Sequence, residues 1–222
     1  MTKFANRTEA GQALAREIAS RGYHDPVVLA LPRGGVPVGI ELVRALGAPM
    51  DLVMVRKIGV PHQPELAAAA VVNGDAPEIV HNTEIMAHAG LDTSDIERLA
   101  QTQLDEIRRR RGLYLRNREA VPVAGRTAIV VDDGIATGAT VRASLRAVRR
   151  RAPSKLVLAV PVAAPDTLAR LRGEVDEVVC LHQPAMLYAI GAHYTDFGQT
   201  SDDEVVRLMD EAKRLSGEDA PG

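Results

Sequence analysis

Five short runs rich in Val, Leu and Ala constrain the fold more than any other feature of the chain: VVLALP (27–32), DLVMVRKI (51–58), TAIVVDD (127–133), KLVLAVPVA (155–163) and VDEVVCLHQP (175–184). They are too short and too β-branched for buried helices, and stretches of helical period separate them. That alternation predicts a mostly parallel sheet with crossover helices, an α/β doubly wound architecture flanked by helices on both faces. The helical stretches are EAGQALAREIASRG, stopped by Gly22, VPVGIELVRALG, stopped by Gly47, ATVRASLRAVRRR and PDTLARLRG. SDIERLAQTQLDEIRRRRGLYL (94–115) is a long helix with an Asx or Ser cap, acids in its first turn and bases in its last turns, as the helix dipole favours. LAAAAVVNG and EIVHN read as a shorter, antiparallel pair joined across Gly74, Asp75 and Pro77.

Composition narrows the function classes. The chain has 222 residues, 46% of them hydrophobic, which suits one domain over 1–222 with a sizeable core. With 27 basic and 29 acidic residues the net charge is -2, so no broad basic field draws the chain to nucleic acid. The Arg108–Arg111 and Arg149–Arg151 runs fall near helix C-termini and read as solvated faces rather than RNA contacts. A single cysteine, Cys180 in EVVCL, excludes an internal disulfide framework and points to the cytoplasm. There is no signal-peptide core and no apolar run near the ~20 residues of a membrane span, so the expected partners exclude membranes. The histidines show neither HxH nor HExxH spacing, so no metal site is expected from the protein alone. The polar end, SGEDAPG, is expected to fray.

The third run carries chemistry. In TAIVVDDGIATGATVRASL a strand ends in two carboxylates, a tight loop follows, and a helix begins. Ligands of open α/β sheets sit beyond the carboxyl ends of the strands, where Asp132 and Asp133 stand. The loop from Gly134 to Thr140 supplies backbone N–H groups at a helix start, with Gly138 allowing close approach and Thr137 and Thr140 adding hydroxyls, a cradle for phosphate. Carboxylates repel phosphate, so their better partners are the vicinal hydroxyls of a ribose. The pattern describes a ribose 5-phosphate. A receiver domain of the response-regulator type also places acids at strand ends, but gives a Gly-Ile-Ala-Thr-Gly loop no role.

VVDDGIATGAT resembles the phosphoribosyl-pyrophosphate (PRPP) motif of the type I phosphoribosyltransferases over its whole length, and the element order over about 25–185 is compatible with that family's core. The resemblance implies that Asp132 and Asp133 bind the ribose hydroxyls and that Ala136, Thr137, Gly138, Ala139 and Thr140 bind the 5-phosphate. LPRGGVPVG, with Arg33, Gly34 and Gly35 at the end of the first strand, looks like the family's pyrophosphate loop, and Lys57 of MVRKIG stands where members place a base reaching pyrophosphate. Arg33, Lys57 and two glycine amides suit a polyanion that arrives with Mg2+, the expected cofactor. Arg56 alternates to the other strand face. The implied reaction transfers ribose 5-phosphate from PRPP to a nitrogen nucleophile, by the family's habit a nucleobase, with release of pyrophosphate. Arg33, Lys57, Asp132 and Asp133 are then the expected catalytic set.

YAIGAHYTDFGQTSDDEV follows the last strand and gathers Tyr188, Tyr194 and Phe197, where a flat base could stack in a small hood built from about 186–222. One departure limits the acceptor: 6-oxopurine members carry Asp before the motif's Thr-Gly, and this chain carries Ala136. YLRNREAVPVAG and IGVPHQPEL are the two candidates for a mobile active-site loop. A non-catalytic protein that senses PRPP or a nucleotide is the rival reading, and a homodimer is an assembly the sequence leaves open.

Overall fold

The computed structural model describes residues 3–73, 77–116 and 118–217; the side chains of 64, 65, 73 and 77 fall outside that description. The turn at 74–76 and the last residues, 218–222, expected respectively to join a strand pair and to fray, lie outside the described residues. Strands β1 (Pro26–Ala30), β2 (Met50–Leu52), β6 (Thr127–Val131), β7 (Lys155–Val162) and β8 (Glu177–His182) form a five-stranded sheet in the order β2-β1-β6-β7-β8, parallel throughout. Strands β3 (Met54–Val60), β4 (Gln63–Asn73) and β5 (Pro77–His81) form a separate antiparallel sheet. The described helices are α1 (Arg7–Ala19), α2 (Gly35–Leu46), α3 (Thr83–Ala89), α4 (Thr93–Leu115), α5 (Ala139–Arg150), α6 (Pro165–Leu171) and α7 (Asp202–Leu215).

The parallel strands read as continuous apolar runs because both faces are covered. Val28, Ala30, Ile129, Val131, Val157 and Ala159 join one core with α1, α2 and α7. Their neighbours Val27, Leu29, Ala128, Val130, Leu156 and Leu158 join a second core with α5 and α6. The two-residue period of a strand thus feeds two hydrophobic layers.

DLVMVRKI, expected as one strand, is two. The chain leaves the parallel sheet at Val53, whose N–H donates to Ala30 O at 3.0 Å, and enters the antiparallel sheet at Met54. No glycine or proline marks the change; the partners across the ladder decide it. The antiparallel pairing of the two shorter runs holds, with Ala69 opposite His81 and Val72 opposite Glu78. This sheet packs on α4 on one side and on α5 on the other. Arg56 and Lys57 therefore point to opposite layers, Arg56 reaching Glu106 of α4 at 3.0 Å.

α4 starts with a capping box, in which Asp92 accepts from Asp95 N and Asp95 accepts from Asp92 N. Its arginines are tied within the chain: Arg108 to Asp105, Arg109 and Arg110 to Glu106. Hydrogen bonds from those last two hold the Glu106 carboxyl down to about 2. No helix among the described residues is long and apolar enough to cross a membrane.

Candidate active site

The site lies where β1 and β6, neighbours in the sheet, both end. β6 closes on Asp132 and Asp133, and the segment Leu31–Gly34 follows β1 into α2. Leu31 N donates to Val131 O at 2.9 Å, so this segment stays beside the acids rather than turning away. Its glycines are demanded by that approach. A Cβ on Gly34 would stand 2.6 Å from Asp133 Cγ, and one on Gly35 would stand 2.6 Å from Val131 O. The Pro32–Arg33 peptide is cis.

Asp133 is buried. Arg7, the first residue of α1, donates from Nε to Asp133 Oδ2 at 2.7 Å, and Tyr194 Oη donates to the Asp133 carbonyl at 2.6 Å. Asp132 is partly exposed and accepts from Asp133 N at 2.9 Å. Burial pushes the Asp132 carboxyl well above the ordinary range, and the neighbouring Asp133 charge pushes the same way. Burial also raises Asp133, with the Arg7 guanidinium opposing it. Two carboxylates held here are costly when ionised, so the site favours a partner that donates hydrogen bonds to them.

The loop Ala136–Thr140 runs from the acids into α5. Gly138 is the N-cap at φ 78, and no side chain caps the helix, so the amides of its first turn are free to meet an anion. The glycine also has a packing cause. A Cβ on Gly138 would meet Thr167 Cγ2 of α6 at 2.6 Å, and the positive φ already disfavours a side chain. α6 also fixes the loop through Thr167 Oγ1, which donates to Ala136 O at 2.7 Å. Between loop and α6 lies a cleft of ≈ 240 Å³ lined by Thr137, Gly138, Ala139, Arg142 and Arg170.

Lys57 is exposed and lines a cavity of ≈ 70 Å³ with Ala139 and Thr140 of the loop, Arg142, Arg146 and His81. His81 Nε2 is buried there without a hydrogen-bond partner among the described residues. Arg33 is elsewhere engaged: its Nη1 stands 3.4 Å from Asp202 Oδ1 at the start of α7, and Tyr114 Oη donates to the same oxygen at 2.6 Å. Arg33 and Lys57 share no described contact or cavity. The structure therefore brings Gly34, Gly35, Asp132 and Asp133 together in one cluster and Lys57 with the end of the Ala136–Thr140 loop in another.

The three aromatics separate. Tyr194 is 2% exposed, with Phe4 at 5.7 Å on one side and Phe197 stacked at 4.9 Å on the other. Phe197 also has the Arg7 guanidinium over its ring at 3.9 Å. Burial takes Tyr194 out of the stacking role expected of it, and Phe197, only partly buried, already has Tyr194 and Arg7 against its ring. Tyr188 is 84% exposed and keeps its ring in the open. Of the two loop candidates, YLRNREAVPVAG is pinned near the start of β2, where Val121 N donates to Asp51 Oδ2 at 3.2 Å and Arg118 binds Met209 O at 2.8 Å. IGVPHQPEL spans the β3–β4 hairpin.

Two site residues escape the motif reading. Arg142 lies one turn into α5, borders both cavities, and makes no side-chain hydrogen bond or ion pair among the described residues. Its signal is a base shortly after the loop, in GATVR. Arg7 lies 126 positions from Asp133, and no local pattern announces it.

Comparison with known proteins agrees with this geometry. The phosphoribosyl transferase domain matches residues 4–188. Proteins of two Mycobacterium tuberculosis strains, each provisionally named a phosphoribosyl transferase, are 45% identical over 214 residues, 96% of this chain and 48% of their own length. The chain thus spans about half the length of the curated relatives it matches. The crystal structure of TT1426 from Thermus thermophilus superposes with a TM-score of 0.83 at 42% identity, covering 94% of this chain and 98% of that one. With its parallel sheet, acid pair and glycine loops, the chain belongs to the phosphoribosyltransferase family and has the type I fold.

Proposed function

We propose that the protein binds PRPP together with Mg2+ and transfers ribose 5-phosphate to a nitrogen nucleophile, releasing pyrophosphate. The observation that carries this reading is the packing of Gly34 against Asp133, which sets the segment after β1 beside the acid pair. Asp132 and Asp133 accept from the ribose hydroxyls, and the amides of Ala136–Thr140 with Thr137 and Thr140 take the 5-phosphate. Gly34 and Gly35 offer amides to pyrophosphate, with Arg33 released from Asp202 and Lys57 reaching in from β3. The donors present, two carboxylates of which Arg7 holds one, suit an ion that arrives on the substrate's diphosphate oxygens rather than one caged by the protein. Bound there, Mg2+ neutralises charge on the leaving pyrophosphate.

The protein's share of catalysis is positioning and charge stabilisation. As the bond to pyrophosphate lengthens, positive charge develops at the anomeric carbon, and the acid pair on the adjacent hydroxyls stabilises it. Tyr188, with a free ring, is the aromatic available to the acceptor, and Ala136 argues against a 6-oxopurine. On this reading the segment from about 186 onward forms the hood, the protein works in the cytoplasm, and a homodimer is compatible with it. A second reading, a non-catalytic sensor of PRPP or a nucleotide, is favoured by one observation: Tyr194 is buried and Phe197 already carries Tyr194 and Arg7 on its ring.

Incubation with PRPP, Mg2+ and a panel of bases, following pyrophosphate release, separates the two. Release with at least one base is expected of the transferase, and PRPP binding with no release for any base indicates the sensor. Changing both Asp132 and Asp133 to Asn removes charge-assisted acceptors worth about 1.5–3 kcal/mol each, so PRPP affinity falls by roughly a hundredfold or more. Unchanged affinity in the double variant rejects both readings.

A further inference from the structure

We propose that Arg7 is a positioning residue for the acid pair, fixing Asp133 to the hood segment and leaving Asp132 as the carboxylate free to meet an incoming ribose hydroxyl. The inference rests on the reading of the acid pair as a ribose site. Arg7 uses its planar fork in two directions: Nε donates to Asp133 Oδ2 at 2.7 Å and Nη1 donates to Gly198 O at 2.7 Å. Its guanidinium lies on the Phe197 ring, Phe197 stacks on Tyr194, and Tyr194 Oη returns to the main chain of Asp133. The contacts close a circuit through α1, the hood segment 194–198 and the loop after β6. Both charged groups are largely buried, with side-chain exposures of 13% for Arg7 and 12% for Asp133.

Asp133 also lies against the Gly34 backbone, and the oxygen nearest a Gly34 Cβ is the same Oδ2 that accepts from Arg7. Asp133 Oδ2 is thus engaged by the guanidinium and packed against the segment after β1, while Asp132 is the less buried residue of the pair and accepts only from Asp133 N among the described residues. The groups facing Asp133 are Arg7 from α1, Asp132 from its own loop and the Tyr194 hydroxyl; the loop after β1 presents only backbone. Among the described residues Arg7 is the one cation on the pair, and it acts against the burial that favours protonation of both acids. A lysine would supply charge without the fork, so it would keep part of the electrostatic effect and lose the tie to Gly198.

The test uses the full chain as wild type, Arg7→Met and Arg7→Lys. Carboxyl-carbon NMR of the ligand-free protein reads the titration of Asp132 and Asp133 with no dependence on PRPP. The midpoint of the pair is expected to rise by about one pH unit, roughly tenfold in proton affinity, in Arg7→Met, and by less in Arg7→Lys. An unmoved midpoint in Arg7→Met overturns the proposal. Calorimetry with PRPP and with inorganic pyrophosphate, which has no ribose, supplies the second readout. PRPP affinity is expected to fall at least about tenfold in Arg7→Met while pyrophosphate affinity stays within about twofold; equal losses would mean that Arg7 only supports the fold. Should Arg7→Met not fold, Arg7→Lys decides, because wild-type behaviour in both measurements overturns the role of the fork. Wild-type protein that binds no PRPP would reject the transferase reading, and the carboxyl titration would still decide whether Arg7 governs the pair.

Discussion

The carboxyl end of the parallel sheet and the antiparallel sheet beside it hold their charges in different ways. At the sheet end the charged groups are tied: Arg7 to Asp133, Arg33 to Asp202, with the glycine loop laid directly on the acids. Beside the antiparallel sheet, Lys57 and Arg142 border one cavity and make no side-chain hydrogen bond or ion pair among the described residues. The first region is assembled by packing, so its geometry exists before any ligand arrives. The second holds cations with no partner among the described residues, an arrangement suited to an anion. A change in the first region should therefore move stability and binding together, and a change in the second should move binding alone.

The largest test of that contrast is Gly34→Ala. The new methyl would collide with the Asp133 carboxylate, and relieving it requires shifting either the acid or the loop. Overpacking of this kind typically costs about 1–3 kcal/mol, and chemical denaturation should show it alongside weakened PRPP binding. A variant with wild-type stability would mean that the loop is not seated on the acids. Lys57→Ala comes next: PRPP affinity is expected to drop about tenfold, about 1.4 kcal/mol, while the unfolding free energy stays within about 0.5 kcal/mol of wild type. Loss of stability there would erase the distinction between the regions.

Asp132→Asn probes the cost of the acid pair itself. Burial raises the proton affinity of Asp132 in the folded chain, so the unfolded chain gains more from ionisation. That penalty is absent at acid pH, where both states hold the proton, and it grows as pH rises through the ordinary carboxylate range near ~4 and on towards the raised folded value. The amide removes it and still accepts from Asp133 N. At pH 7 the ligand-free variant should melt a few degrees higher, at about 2–4 °C per kcal/mol for a chain this long, and the gain should vanish near pH ~3. A gain that persists at acid pH would point to packing instead. The smallest effect is expected of Gly112→Ala in α4, where a Cβ meets nothing within 4 Å and the substitution should stabilise by about 0.5–1 kcal/mol. Its sign, opposite to that of Gly34→Ala, sharpens the claim that position and not glycine itself sets the outcome.

The sequence determined the parallel sheet, the acid pair and the two glycine loops, because each depends on residues adjacent in the chain. Apolar runs announce strands buried on both faces, and a strand that ends in VVDDGIATGAT joins acids, amides and helix start within one covalent stretch. The sequence also separated Arg56 from Lys57, since alternation along a strand is local geometry. What the tertiary structure decided depends on partners far apart in the chain. Val53 leaves one sheet for another because of its ladder neighbours, and Gly138 is glycine because α6 lies against it. Tyr194 and Phe197 look in sequence like a stacking surface, yet Tyr194 is buried and Phe197 carries Tyr194 and the Arg7 guanidinium on its ring. Arg7 reaches Asp133 across 126 positions, a contact no spacing rule contains, because burial and pairing belong to the folded surface and not to the order of residues.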